Sequence, residues 1–194
     1  MKKTGYHHGH LEEALLDVGL REAKVNGPRN LGVTQLAKKV NVSAMAIYRH
    51  FPNGESLRAS ISQQAREELA RQMLKAIEKE TDLKRRFQAI GRTYIEFALK
   101  EPGLYSVAFL ACYEDPKRED NPSIWNILQE GILEICNAGL ITSEEIPNVA
   151  ALAWATVHGY AELAGMSDPY RPKPTKKNID DLLDRAWMGI ISNG

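Results

Sequence analysis

The chain is 194 residues long, 43% hydrophobic and 26% charged, and its 25 basic residues are balanced by 25 acidic ones. That composition fits one or two globular domains and excludes a protein that is strongly basic or acidic as a whole. The balance hides an asymmetry: residues 1–60 hold nine Lys/Arg against five acids, and the other 134 residues hold sixteen against twenty, so an anionic partner is expected at the N-terminal end.

In chain order the pattern is helical almost throughout. The opening MKKTGYHHGH is lysine-led, but acids interrupt the apolar residues that follow and no signal-peptide core forms. Leu11, Ala14, Leu15 and Val18 recur at three- and four-residue spacing and predict an amphipathic helix over about 9–25, stopped by Gly27-Pro28. A short helix over about 33–39 follows, with Leu36, Ala37 and Val40 facing inward. Asn41-Val42-Ser43 then makes a turn in which Ser43 is placed as an N-cap. Pro52-Asn53-Gly54 ends the next short helix, and a long one is expected from about 55 to 80.

Phe87, Ile90, Tyr94 and Phe97 mark another helix, and a shorter one follows the Pro102-Gly103 break. CYEDPKREDNP reads as a polar loop. Residues 123–138 are helical in pattern, with Gly139-Leu140 as a glycine C-cap and its apolar contact. Thr142-x-x-Glu145 looks like a capping box, while Pro147 disturbs the turn that it would start. Beyond Pro147 a helix runs to about Ala164. After the proline-rich loop MSDPYRPKPT, Asn178-x-x-Asp181 is expected to cap the last helix. The reading is all-α, about nine helices and no sheet. No apolar run of 18 residues is present to span a membrane, and Cys112 and Cys136 are too few for a disulfide framework. A cytoplasmic protein is predicted.

Two short helices joined by a tight turn and preceded by a longer helix are the layout of a helix-turn-helix DNA reader. The chemistry of SAMAIYRHF agrees. With Ser43 as cap, Ile47 and Phe51 share one face at a spacing of four and can bury, while Ala44, Met45, Tyr48 and Arg49 fall on the other. Small or flexible groups let the helix start approach base edges. Tyr48 can donate to phosphate, and Arg49 can pair with phosphate or guanine.

At these residues the sequence resembles a family. LGVTQLAKKVNVSAMAIYRHFPNGESL is similar to the DNA-binding segment of the TetR-type transcriptional regulators, with its Val-Ser turn and Tyr-x-His-Phe. YHHGHLEEALLDVGL resembles the opening of a subgroup that begins His-His-Gly-x-Leu, and WATVHGYAEL resembles the Trp-x-x-x-His-Gly signature of that subgroup's C-terminal domain. The likeness spans nearly the whole chain and is strongest over 6–57 and 85–110. It implies a dimeric, ligand-responsive regulator, usually a repressor, with DNA contacts at Thr34, Ser43, Ala44, Met45, Tyr48, Arg49 and His50. Two positions depart from the pattern. Gly54 stands where the family usually has a phosphate-binding lysine, and Gly32 replaces a Ser/Thr helix cap, leaving Thr34, Lys38 or Arg58 to compensate.

Other constellations carry less. His7, His8 and His10 cluster, but no Cys or carboxylate stands beside them at regular ligand spacing, so no metal and no cofactor are expected. Trp154 and His158 share a helix face, either as a pocket wall with one polar group or as core, with Gly159 admitting a close helix. Tyr94, Tyr105, Phe109 and Trp125 are the other pocket candidates. The helix over 147–164 is apolar on two sides and the last helix carries one broad apolar stripe, which suggests half of a four-helix bundle completed by a second copy. Leu152, Gly159, Leu163, Leu183, Trp187 and Ile190 are the interface candidates. Neither cysteine has a basic neighbour close enough to activate it.

The expected division is a helix-turn-helix domain over 1–55 and a helical effector-binding and dimerisation domain over 56–194. The expected partners are a double-stranded DNA operator, an unknown small-molecule effector and a second copy of the chain, with no membrane. The alternative is a helical small-molecule-binding protein whose DNA binding is weakened or lost, for which Gly32 and Gly54 are the arguments. An enzyme is not expected, because no nucleophile–base pair, paired acids or phosphate loop is visible.

Overall fold

The computed structural model describes residues 8–110 and 122–192, without the side chains of 8–10 and 110. His7 and Cys112 lie outside the described residues, as do the side chains of His8 and His10. Among the described residues the chain is all-helical: α1 His8–Asn26, a 3-10 turn Gly27–Asn30, α2 Val33–Lys39, α3 Ala44–Tyr48, α4 Gly54–Ile77, α5 Leu83–Lys100, α6 Pro102–Tyr105 running into a π-helical turn Ser106–Leu110, α7 Ile124–Asn137, α8 Ile146–Gly165 and α9 Lys176–Ile191. None of these helices is long and apolar enough to cross a membrane. By compactness the chain divides into two units. The first holds residues up to Arg66 and a segment that begins at Glu101; the second holds Glu67–Lys100 and the chain after that segment.

In the first unit, Leu11, Leu15, Gly19 and Ala23 form the buried stripe of α1 at a spacing of four. Gly19 lets α4 come close, since a Cβ would stand 2.7 Å from Ile61 Cγ1 and the Ile61 side chain would have to shift. The turn between α2 and α3 is made by Asn41, whose φ of +56° is a left-handed conformation that asparagine tolerates, and by Val42 N–H donating to Ala37 O at 3.0 Å. Asn53 starts α4: its side chain accepts from Ser56 N–H at 2.8 Å, and Ser56 Oγ accepts from Asn53 N–H at 3.3 Å. The Pro52-Asn53-Gly54 break is therefore both a stop and a cap. At α6, a Cβ on Gly103 would collide with the carbonyl oxygen of Ala23 and stand 2.8 Å from that of Lys24, so the backbones of α6 and the α1 terminus touch. Lys24 and Glu101 bridge the same contact at 2.6 Å.

In the second unit, Leu128, Ile132, Ile135, Val149, Ala153, Trp187 and Ile190 form one buried cluster, with Phe87 packed on it. Arg86 donates to both oxygens of Glu134, at 3.2 and 2.9 Å, and reaches the carbonyls of Ile77 and Glu80 beyond the end of α4. The hydrogen bond to Glu134 holds its proton affinity above the ordinary guanidinium value. A second seam joins α5 to α9 through Ile95, Ile179 and Leu183, edged by Arg92–Asp180 and by Lys84–Asp184 at 2.6 Å.

Two expectations are corrected here. The last helix is capped by Thr175, whose Oγ1 accepts from Asn178 N–H at 3.2 Å, and not by Asn178, whose amide donates to Lys173 O at 2.9 Å. Both residue types cap well, and the proline-rich approach decides which one is in register. Second, Leu183, Trp187 and Ile190 do not face outward: they are 5%, 6% and 2% exposed and fill the protomer's own core. The glycine C-cap after α7 forms as expected, with Gly139 at φ +72° and Leu140 N–H donating to Ile135 O. Thr142 and Glu145 do pair, but as a turn ahead of α8, with Pro147 accommodated in its first turn.

Candidate nucleic-acid interface and apolar cavity

In the first unit α2 packs on α3, and each helix presents an outer face. Ser43 starts α3, its Oγ accepting from Ala46 N–H at 3.3 Å. Ile47 and Phe51, four apart, are buried, while Met45 is 67% and Tyr48 47% exposed. Thr34, Ser43 and Arg49 are also exposed, and Ala44 and His50 are half-buried. An inner apolar pair thus fixes α3, and its other side offers a thioether, a phenol and a guanidinium to the outside. All seven residues expected to contact DNA lie on or beside these two helices.

The two glycine departures have local causes. Gly32 precedes α2, and Gln35 folds back so that its Oε1 accepts from Gly32 N–H at 3.1 Å. A Cβ at residue 32 would stand 2.9 Å from that oxygen. This is one half of a capping box: Gln35 satisfies the N–H of Gly32, while Gly32 has no side chain to accept from the first turn, where Gln35 N–H donates to Gly32 O at 3.0 Å. At Gly54, a Cβ would stand 3.3 Å from Arg58 Nη1, so the Arg58 guanidinium already occupies the space beside the start of α4. A cation is present there, carried one helical turn further on.

The second unit contains a cavity between α5, α7, α8 and α9, closed on one side by Met73 of α4. It leaves about 40 Å³ to the centre of a water molecule, and Phe87, Gly91, Tyr94, Trp154, Val157 and Trp187 are among its wall. Of the six pocket candidates, Tyr94 and Trp154 line it. His158 stands behind them: its Nδ1 is 2.7 Å from the Tyr94 hydroxyl, and its ring stacks on Trp154 at 5.9 Å. Trp125 meets Trp154 edge-on at 6.5 Å and is half-exposed. Tyr105 and Phe109 belong to the first unit, where their rings pair at 5.2 Å. Met73, Phe87 and Trp187 were missed as wall residues. The small residues Ala153 and Ala186, on two helices, were the available signal; Gly91 instead marks close packing, since a Cβ there would stand 2.8 Å from Leu183 Cδ2.

On α8, Leu152 and Leu163 are 42% and 51% exposed. Among the described residues nothing lies within 4 Å of a Cβ built on Gly159, so this glycine serves no close approach inside the protomer. The outer face of α8 is therefore apolar and uncovered. No group of three or more His, Cys, Asp or Glu that could hold a metal ion occurs among the described residues. Cys136 is half-buried.

Residues 15–61 match the family described as bacterial regulatory proteins, tetR family, and residues 87–186, just over half of the chain, match the tetracyclin repressor-like C-terminal domain. The uncharacterized HTH-type transcriptional regulator YobS of Bacillus subtilis is 24% identical over 107 residues, 55% of each chain. The aligned parts span about half the length, or less, of the curated relatives that the chain matches. A solved protein of unknown function from Rhodococcus sp. RHA1 is 26% identical with a TM-score of 0.78, covering 97% of this chain and all of that one. The transcriptional regulator FadR of Bacillus subtilis, solved in complex with stearoyl-CoA, shares the fold at 17% identity and a TM-score of 0.64, covering 93% of this chain and 97% of that one.

Proposed function

The chain belongs to the tetR family of bacterial regulatory proteins, and from that premise we propose that it is a repressor that leaves its operator when a small molecule binds the second unit. Its family and structural neighbours are transcription regulators and not enzymes. The observation that carries the proposal is the division of α3 into a buried pair, Ile47 and Phe51, and an outward Met45, Tyr48 and Arg49. We assign DNA binding to residues 1–55 and effector binding and dimerisation to 56–194. Within the family we place the chain in the Trp-x-x-x-His-Gly subgroup on Trp154, His158 and Gly159, and we place its action in the cytoplasm, where the operator is.

Met45 and Ala44 read thymine methyl groups, Arg49 pairs with phosphate or guanine, and Tyr48, Thr34, Ser43 and His50 fix the register on the backbone. A two-fold operator requires two such helices about 34–36 Å apart. The outer face of α8, with Leu152, Gly159 and Leu163, is the surface we assign to the second copy. Effector and DNA then oppose each other by linkage, each favouring a different spacing of the two reading helices. The effector itself does not carry over from the FadR neighbour, since likeness at that identity concerns the fold alone.

The alternative, a small-molecule binder without DNA binding, rested on Gly32 and Gly54. That Gln35 partners the Gly32 N–H and that the Arg58 guanidinium lies beside Gly54 support the regulator. The test is a mobility-shift titration with DNA flanking the protein's own coding sequence, at several salt concentrations. Sequence-selective binding that weakens steeply with salt is expected. Equal affinity for unrelated DNA of the same length sinks the proposal.

A further inference from the structure

The chemistry of the cavity wall restricts what the second unit can bind. Among the described residues the wall carries no Lys, Arg, Asp, Glu or His side chain. Three of its polar side chains are engaged by the protein. Gln88 Nε2 donates to Asp184 at 2.9 Å, Thr156 Oγ1 donates to Leu152 O at 2.7 Å, and the Tyr94 hydroxyl shares a hydrogen bond with His158 Nδ1 at 2.7 Å. A ligand entering here meets carbon and aromatic faces. A charge carried in would lose its water and find no counter-charge, which is strongly unfavourable.

Size restricts the ligand further. The room of about 40 Å³ is below the roughly 150 Å³ that admits a benzene ring in an apolar cavity. A ligand of one ring must therefore displace part of the wall or extend from its open side. Met73, unbranched and able to change rotamer, is the side chain best suited to give way. A long chain would need the two tryptophans to move as well.

We propose that the effector is a compact, uncharged, largely apolar molecule of about one aromatic ring, bound between Trp154 and Trp187. This deepens the regulator reading and rests on it only for the word effector; occupancy of the cavity can be measured without DNA. The experiment follows tryptophan fluorescence of the full chain with four probes of matched size: toluene, benzyl alcohol, benzoate and benzylamine. Saturable changes are expected for the two uncharged probes, with affinities roughly tenfold or more above those of the two ions. Ala153→Leu, which fills the cavity, should abolish the response while the far-UV circular dichroism is unchanged. If that variant does not fold, Ala186→Leu fills the same space from α9. Benzoate or benzylamine binding as tightly as toluene overturns the proposal. So does the absence of binding by either uncharged probe, or binding that a folded cavity-filling variant leaves intact. A protein that binds toluene but no operator keeps this inference and loses the regulator; one that binds operator but no uncharged ring does the reverse.

Discussion

The outer face of α3 and the wall of the cavity handle polar groups in opposite ways. On α3 the phenol of Tyr48 and the guanidinium of Arg49 point away from the protein, and the buried pair Ile47 and Phe51 does the holding. Around the cavity Tyr94, Gln88 and Thr156 have protein partners, and among the described residues the wall is mostly apolar and carries no charged side chain. The first arrangement suits a charged, hydrated polymer that is bound through many weak and salt-sensitive contacts. The second suits an uncharged ligand bound by exclusion of water. One chain holds both because they are built from different helices, α3 in the first unit and α5, α7, α8 and α9 in the second.

Substitutions behind the two surfaces should have the largest effects. Trp187→Ala removes a side chain buried against Phe87 and should lower stability by about 3–5 kcal/mol, and Ile47→Ala by about 2–5 kcal/mol, read from urea unfolding midpoints. A loss under about 0.5 kcal/mol for Ile47→Ala would mean that α3 is not seated on its apolar pair. Arg49→Ala should leave the unfolding midpoint unchanged and weaken operator binding by about 1–3 kcal/mol in a mobility-shift titration. A slope of log K against log salt reduced by about one assigns Arg49 to phosphate, and an unchanged slope with relaxed base preference assigns it to guanine.

Smaller effects separate the two neighbours of Arg49. Tyr48→Phe should weaken all operators about equally, by about 1 kcal/mol, because a phosphate contact carries no sequence information. Met45→Ala should instead relax preference at one base pair in a selection from randomised operators; unchanged preference removes Met45 from the reading set. The smallest effect concerns Asp184, whose affinity for protons is lowered first by the hydrogen bond from Lys84 and then by that from Gln88. An acid whose folded value is depressed contributes stability that is present above its unfolded value and is lost as pH falls through the folded one. Asp184→Asn should therefore lower stability slightly at neutral pH, leave it unchanged at pH below the folded value, and so flatten the acid limb by the same small amount, since the group is more than half exposed.

The parts of the molecule that depend on neighbours in the chain were legible. Ser43 caps α3, Ile47 and Phe51 turn inward, Gly139 ends α7, and the break at Pro52-Asn53-Gly54 separates two helices. These outcomes follow from residues within one or two turns, where spacing and backbone preference decide. The all-helical class follows from the same local periodicity, as does the placing of the small and charged residues of SAMAIYRHF away from the buried pair.

What an apolar residue buries against is not a local property. The stripe on the last helix announced burial correctly, yet Leu183, Trp187 and Ile190 proved to serve the protomer's own core, while the uncovered face belongs to α8 at Leu152, Gly159 and Leu163. Tyr105 and Phe109 looked like Tyr94 and Trp154 in sequence and lie in the other unit. The side chains beside Gly32 and Gly54 come from Gln35 and Arg58, three and four residues further on. The sequence by itself determined the helices, their inner faces and the exposed side of α3, because hydrophobic period and capping act over a few residues. The tertiary structure alone decided which buried faces meet, and with that the cavity, its lack of charge and the exposure of Leu152 and Leu163 on α8. Those depend on contacts between residues tens of positions apart, which no short-range pattern encodes.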